Sequence, residues 1–189
     1  MAHELSVQVN ANDKVTALLY PAAKKTRAGV TIILGHGAGA NQSSSFMQLF
    51  AGGLAERGLD AMTFNFVYTE LGRSVPDSKV KLEACIRAVI ETALKQKGLK
   101  GNRLVIGGKS MGGRIASQVA AEACEKNDPL ADQIAGIVFL GCTKELPTHS
   151  VRKCDFSIDL PVIPCVERIL LPVYGVRVTQ LVHFARLGR

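Results

Sequence analysis

The stretch Arg103-Leu104-Val105-Ile106-Gly107-Gly108-Lys109-Ser110-Met111-Gly112-Gly113-Arg114 decides how this chain is read. An apolar run leads into Gly108-Lys109-Ser110-Met111-Gly112, and Ile115, Ala116, Val119, Ala120 and Ala123 follow at helical spacing. A strand that turns sharply into a helix lifts the serine at the bend clear of its neighbours. The bend is so tight that the residues two before and two after the serine must be nearly free of side chain. The pattern is that of a nucleophile elbow, which makes Ser110 the candidate nucleophile. The competing expectation is that Ser110 merely caps the following helix while the glycines allow close packing.

Upstream, Val30 to Leu34 is a continuous apolar run, as in a parallel strand covered on both faces. Gly35-His36-Gly37-Ala38-Gly39-Ala40 follows it. Acyl transfer builds negative charge on a carbonyl oxygen, and two backbone N–H groups must already face it. One is expected from Met111, next to the serine. The other is expected from this small-residue loop, at Ala38. His36 reads as an anchor of the loop through a ring hydrogen bond rather than as a base.

Glu4 to Val9 and Val15 to Tyr20 alternate as two strands of a hairpin. Phe46 to Arg57 reads as a helix ended by Gly58, Asp60 to Phe66 as a buried strand, and Val67 to Asp77 as a long loop. Lys79 to Lys97 carries one stripe of Leu82, Cys85, Ile86, Val89, Ile90, Ala93 and Leu94, stopped by Gly98. Ile134 to Leu140 is another buried strand. Strands alternating with helices after an opening hairpin predict an α/β fold, a three-layer α/β/α sandwich with a mainly parallel sheet. Ligands in such sheets bind at the carboxyl ends of the strands, so both glycine-rich turns should face one crevice. Beyond Gly141 the periodicity stops. Residues 1–141 read as the core and 142–189 as an atypical tail, with Leu181 to Arg189 a short helix.

Composition narrows the function. The chain has 189 residues, 47% of them hydrophobic, enough for one domain with a real core. The formal charge of +7 comes with lysines and arginines spread along the chain and 5% aromatic residues, so no nucleic-acid partner is expected. No apolar run is long enough to span a bilayer, no membrane partner is expected, and the start lacks a leader pattern. Five scattered cysteines without a C-x-x-C pair point to reduced thiols and a cytoplasmic location. Neither a metal nor a cofactor is expected. Gly35-x-Gly37-x-x-Ala40 matches the dinucleotide fingerprint formally, but Asn41 to Ser45 delays the helix and no acid ends the next strand. A phosphate-binding loop ending at Lys109-Ser110 would need a glycine at position 103, which is Arg103.

Gly35 to Ala40, then Thr63-Phe64-Asn65-Phe66-Val67-Tyr68 with Glu70, Gly72-Arg73 and Pro76-Asp77, then Gly108 to Arg114, form a series. Over about residues 4 to 141 it resembles the α/β-hydrolase family. Within that family it is similar to the branch of testis-expressed protein 30 and of the hydrolase-like domain of the chromatin-associated non-specific-lethal complex subunit 3, related to dienelactone hydrolases. The resemblance implies a serine nucleophile at Ser110, an oxyanion loop around Ala38 and a crevice bordered by Asn65 to Asp77. It implies an esterase or dienelactone-hydrolase type of reaction on a small-molecule ester or related acyl substrate. The chromatin relatives imply the alternative, a non-catalytic module with a protein partner.

The tail departs from the family. A strand ending in an acid-bearing turn, then a last strand and a loop carrying histidine, should follow Leu140-Gly141, and neither pattern is legible. The fold is therefore expected to lack its C-terminal strands, and a frameshift near Gly141 is one hypothesis for the origin of the change. Loss of the base from a serine triad costs ~10⁶ in rate, or roughly 8 kcal/mol of barrier. His183, with Asp155 or Asp159 before it, keeps the family's chain order of serine, acid and histidine; His149 sits in a polar loop.

Overall fold

The computed structural model describes residues 2–23, 25, 27–140 and the backbone of 184–185. The predicted hairpin forms from β1 (His3–Gln8) and β2 (Lys14–Tyr20). The alternating units are β3 (Val30–Gly35), α1 (Ser45–Glu56), β4 (Asp60–Phe64), α2 (Val67–Glu70), α3 (Lys79–Lys95), β5 (Arg103–Lys109), α4 (Met111–Glu125), α5 (Leu130–Gln133) and β6 (Ile134–Leu140). A two-residue β7 (Phe184–Ala185) completes a sheet of order β1-β2-β4-β3-β5-β6-β7. β4, β3, β5 and β6 run parallel, while β2 joins β4 antiparallel.

The apolar run of β3 divides by the period of two that any strand imposes. Val30, Ile32 and Leu34 pack with Met47, Leu54, Val105 and Leu140 under α1. Ile33 faces the other way, into a larger core with Met62, Phe64, Ile106, Ile86 and Val119 under α3 and α4. The result is the three-layer sandwich read from the sequence.

Five expectations need correction. β4 ends at Phe64 rather than Phe66. The expected loop after it opens with a helical turn, α2, because the Thr69 and Glu70 N–H groups both turn back to the Phe66 carbonyl. α3 stops at Lys95, where Gln96 takes an extended ψ of 117°, and a 3₁₀ turn at Lys97–Leu99 contains Gly98. Leu94, read as part of the buried stripe, is exposed instead. Finally, Phe184 and Ala185 are not helical but extended, paired antiparallel with Val138 and Ile137. The rest of the tail, with the frameshift reading, lies outside the described residues. No helix among the described residues is long and apolar enough to cross a membrane.

Candidate active site

The register brings the two glycine-rich turns together. In the parallel pairing of β3 with β5, Gly35 lies opposite Gly108, so both chains leave the sheet at one level. A Cβ on Gly108 would sit 2.0 Å from the Gly35 carbonyl oxygen, and one on Gly112 would sit 2.2 Å from the same atom. Only hydrogen fits at either position. Gly108 also has φ +145°, a conformation that side chains disfavour.

Ser110 stands between β5 and α4 with φ 49° and ψ −108°. A non-glycine residue held there stores on the order of 1–3 kcal/mol of strain. It persists because both flanks are fixed. The Ser110 N–H donates to the Leu140 carbonyl at the end of β6 (3.1 Å), and its carbonyl accepts from the Arg114 N–H (3.1 Å). Ser110 occupies the N-cap position, yet its hydroxyl makes no capping hydrogen bond. The helix-cap explanation therefore does not account for the serine, whose residue is exposed.

The loop after β3 reaches this bend. A Cβ on Gly37 would lie 3.6 Å from the Lys109 carbonyl oxygen and 3.9 Å from the Ser110 Cβ. The Gly37 carbonyl is held twice, by His36 Nδ1 at 2.8 Å and by the Ala40 N–H at 3.1 Å. The Ala38 carbonyl accepts the Tyr68 hydroxyl at 2.8 Å. A trans peptide points its N–H opposite to its carbonyl. Pinning these two carbonyls therefore turns the Ala38 and Gly39 N–H groups away from their anchors, and neither has an acceptor among the described residues. The Met111 N–H, first in α4, is also without one, as helix geometry dictates.

His36 is fully buried and both its ring nitrogens are used. The Phe66 N–H donates to Nε2 at 3.3 Å, so Nδ1 carries the proton and donates to Gly37. Burial pulls its pKa below the ordinary value, partly opposed by the Gly37 bond, and the ring stays neutral. With no free nitrogen it cannot take a proton from Ser110. Its role is to hold the loop.

Several residues of the Asn65 to Asp77 stretch, expected from the resemblance only to border the crevice, complete the frame. Asn65 Oδ1 accepts the Gln42 N–H (3.0 Å), and its amide donates to Glu70 (2.9 Å). Glu70 also accepts the Thr16 hydroxyl (2.5 Å). Asp77 accepts the Tyr68 N–H and pairs with Arg73, both at 2.8 Å. The signal for these was present as polar residues interrupting an apolar stretch, Asn65 before Phe66-Val67-Tyr68 and Glu70 after it. Among the described residues, no side chain hydrogen-bonds the Ser110 hydroxyl. His149, His183, Asp155 and Asp159 lie outside the described residues.

The chain belongs to the alpha/beta hydrolase family: the family's model, an alpha/beta hydrolase domain, matches residues 28–157. No curated protein matches it. Among solved structures it is similar to a dienelactone hydrolase from Anabaena variabilis, at 18% identity and a TM-score of 0.59, over 74% of this chain and 62% of that one. It is similar to Est1E from Butyrivibrio proteoclasticus at 17% identity and a TM-score of 0.55, over 70% and 48% of the two chains. A thermostable carboxyl esterase from Bacillus coagulans aligns at 20% identity and a TM-score of 0.58, over 79% and 47%. The fold is thus that of dienelactone-hydrolase and esterase structures, and the chain spans less than two thirds of the length of each.

Proposed function

We propose that the chain is a serine hydrolase of the esterase or dienelactone-hydrolase type, acting on a small-molecule ester or related acyl substrate. In this reading Ser110 is the nucleophile. Its oxygen attacks the acyl carbonyl, and the charge that develops on the carbonyl oxygen is received by the Ala38 and Met111 N–H groups. The observation that carries the reading is the strained backbone of Ser110, held within contact of a loop whose carbonyls are tied back. The hydroxyl neither caps α4 nor bonds any described side chain, so neither role explains a serine at this bend. Donors fixed before the reaction need no reorganisation when charge appears, and one such donor is worth about 10²–10³ in rate.

The proton released by Ser110 needs an acceptor from outside the described residues, where His149 and His183 are the chain's remaining histidines after His3 and His36. We further place the chain in the testis-expressed protein 30 branch, on its motif series, with residues 1–141 as hydrolase core, 142–189 as a distinct tail, and a cytoplasmic location. A fluorophosphonate probe tests the function. Labelling that disappears in Ser110→Ala supports an activated nucleophile. Silence in this chain, with labelling once a family-like tail is restored, identifies a hydrolase fold without its base. Silence in both supports the protein-binding alternative.

A further inference from the structure

We infer that the crevice selects acyl groups that carry a carboxylate of their own, with Lys109 as the cation that receives it. The inference rests on the reading of Ser110 as nucleophile and adds the substrate class.

The described cations differ in whether their charge is already matched, and exposed Arg114, one turn into α4, has no ion pair among the described residues. Arg73, on the loop after α2, is paired with Asp77 at 2.8 Å. Farther off, Arg27 is paired with Asp60, Lys81 with Asp13, and Arg87 with Glu122 and Asp128. Lys109 adjoins Ser110 in the chain, yet no carboxylate among the described residues lies within 4.0 Å of its ammonium, and no hydrogen-bond acceptor meets it. Its one described contact is the face of Phe46, with Nζ 4.5 Å from the ring centroid. An aromatic face steadies an ammonium without consuming its N–H donors. None of the three is taken by an acceptor among the described residues.

The placement follows from the strand. Lys109 continues the row of Val105 and Gly107, and Val105 packs under α1. The ammonium over Phe46, in the first turn of α1, therefore stands on the α1 side of the Ser110 bend. The opposite side is framed by Tyr68 and its neighbours, which belong to the core under α3. The acids there are turned inward: Glu70 accepts from Thr16 and Asn65, and Asp77 from Tyr68 and Arg73. No described acid competes for Lys109. A monoester of a dicarboxylic acid fits this arrangement. Its ester carbonyl lies against Ser110 and the Ala38 and Met111 N–H groups, and its free carboxylate meets Lys109 in a charge-assisted hydrogen bond.

The test compares kcat/KM for the 4-nitrophenyl monoester of succinic acid with that for 4-nitrophenyl butyrate, using the full chain. The expected preference for the acid ester falls about tenfold in Lys109→Met, which keeps an apolar stem over Phe46, and returns in Lys109→Arg. An unchanged ratio in Lys109→Met overturns the inference. Thermal melting of each variant separates misfolding from lost recognition. A second readout needs no turnover: monomethyl succinate is titrated into protein with labelled lysine and phenylalanine. Saturable shifts at Lys109 and Phe46, with the Phe46 shift lost in Lys109→Met, support anion recognition. Their absence in the unaltered chain overturns it. Saturable binding without hydrolysis of either ester leaves the anion site standing and removes the hydrolase reading.

Discussion

The two ends of the sheet treat polar groups in opposite ways. At the amino end, the carboxylate of Asp60 is fully buried and fully matched. Arg27 grips both its oxygens at 2.9 Å, the Ala22 N–H donates to it at 2.9 Å, and the Asn102 amide does so at 2.8 Å while also reaching Thr31. Arg27 further donates to the Gly98 carbonyl, tying the 3₁₀ turn to the connection before β3. At the carboxyl end the backbone is strained at Ser110, and among the described residues main-chain donors lack acceptors and the Lys109 ammonium lacks a counter-ion. A buried charge that serves the fold is surrounded by partners, because leaving it unmatched costs several kcal/mol. Donors left unmatched on an exposed rim are tolerable because water satisfies them until a ligand does.

Substitutions that separate the two ends test the contrast. The largest effect is expected for Gly108→Ala, whose Cβ would meet the Gly35 carbonyl at 2.0 Å. A loss of more than about 3 kcal/mol in urea unfolding, together with loss of Ser110 labelling, is the expected outcome. Near-normal stability would mean that the two turns are not locked as described. Asp60→Ala at the other end should cost about 3 kcal/mol, yet leave the labelling rate per folded molecule intact. A specific drop in labelling would couple the ends and erase the distinction.

Tyr68→Phe removes the hydroxyl that holds the Ala38 carbonyl, at about 1–3 kcal/mol for the orphaned acceptor. The sharper expectation is kinetic. The rate of Ser110 phosphonylation should fall at saturating probe, with apparent probe affinity little changed, because the proposed oxyanion donors rather than the binding surface have shifted. A fall in affinity alone would assign Tyr68 to binding.

His36 adds a pH signature. Burial holds its folded pKa below 6.5, so the stability it contributes is present above that value and declines as pH falls through its lowered folded pKa. Urea midpoints measured from about pH 7.5 down to pH 5 should show this decline, reduced in His36→Asn. An identical slope in the variant would point to other groups. The smallest effect is a gain: a Cβ on Gly52, inside α1, meets nothing within 4 Å, and Gly52→Ala should stabilise by about 0.5–1 kcal/mol.

Much of this was legible from local pattern. The apolar runs at Val30 to Leu34 and Ile134 to Leu140, and the stripe from Leu82 to Ala93, each report burial that the next few residues already imply. Leu94 escaped that logic because the end of α3 lies at the edge of its covered face. The turn at Val67–Glu70 was missed since Val67 and Tyr68 fit a strand as readily as a short helix, and the deciding bonds to the Phe66 carbonyl are invisible in composition. Of the site, the glycines around Ser110 were readable because their spacing is a steric requirement. Tyr68 and Asn65 belong to a legible motif, but their bonds to Ala38 and Gln42 join residues 30 and 23 positions apart.

What the chain alone determined was the order of strands and helices, the two glycine-rich turns and the serine at the second of them, since each depends on neighbours within a few positions. What only the tertiary structure decided was that Gly35 meets Gly108, that Tyr68 holds Ala38 from thirty residues away, that His36 is neutral with both nitrogens occupied, and that Lys109 rests over the Phe46 ring with no carboxylate partner among the described residues. Those facts come from strand register and from hydrogen bonds between distant residues, which no local spacing encodes.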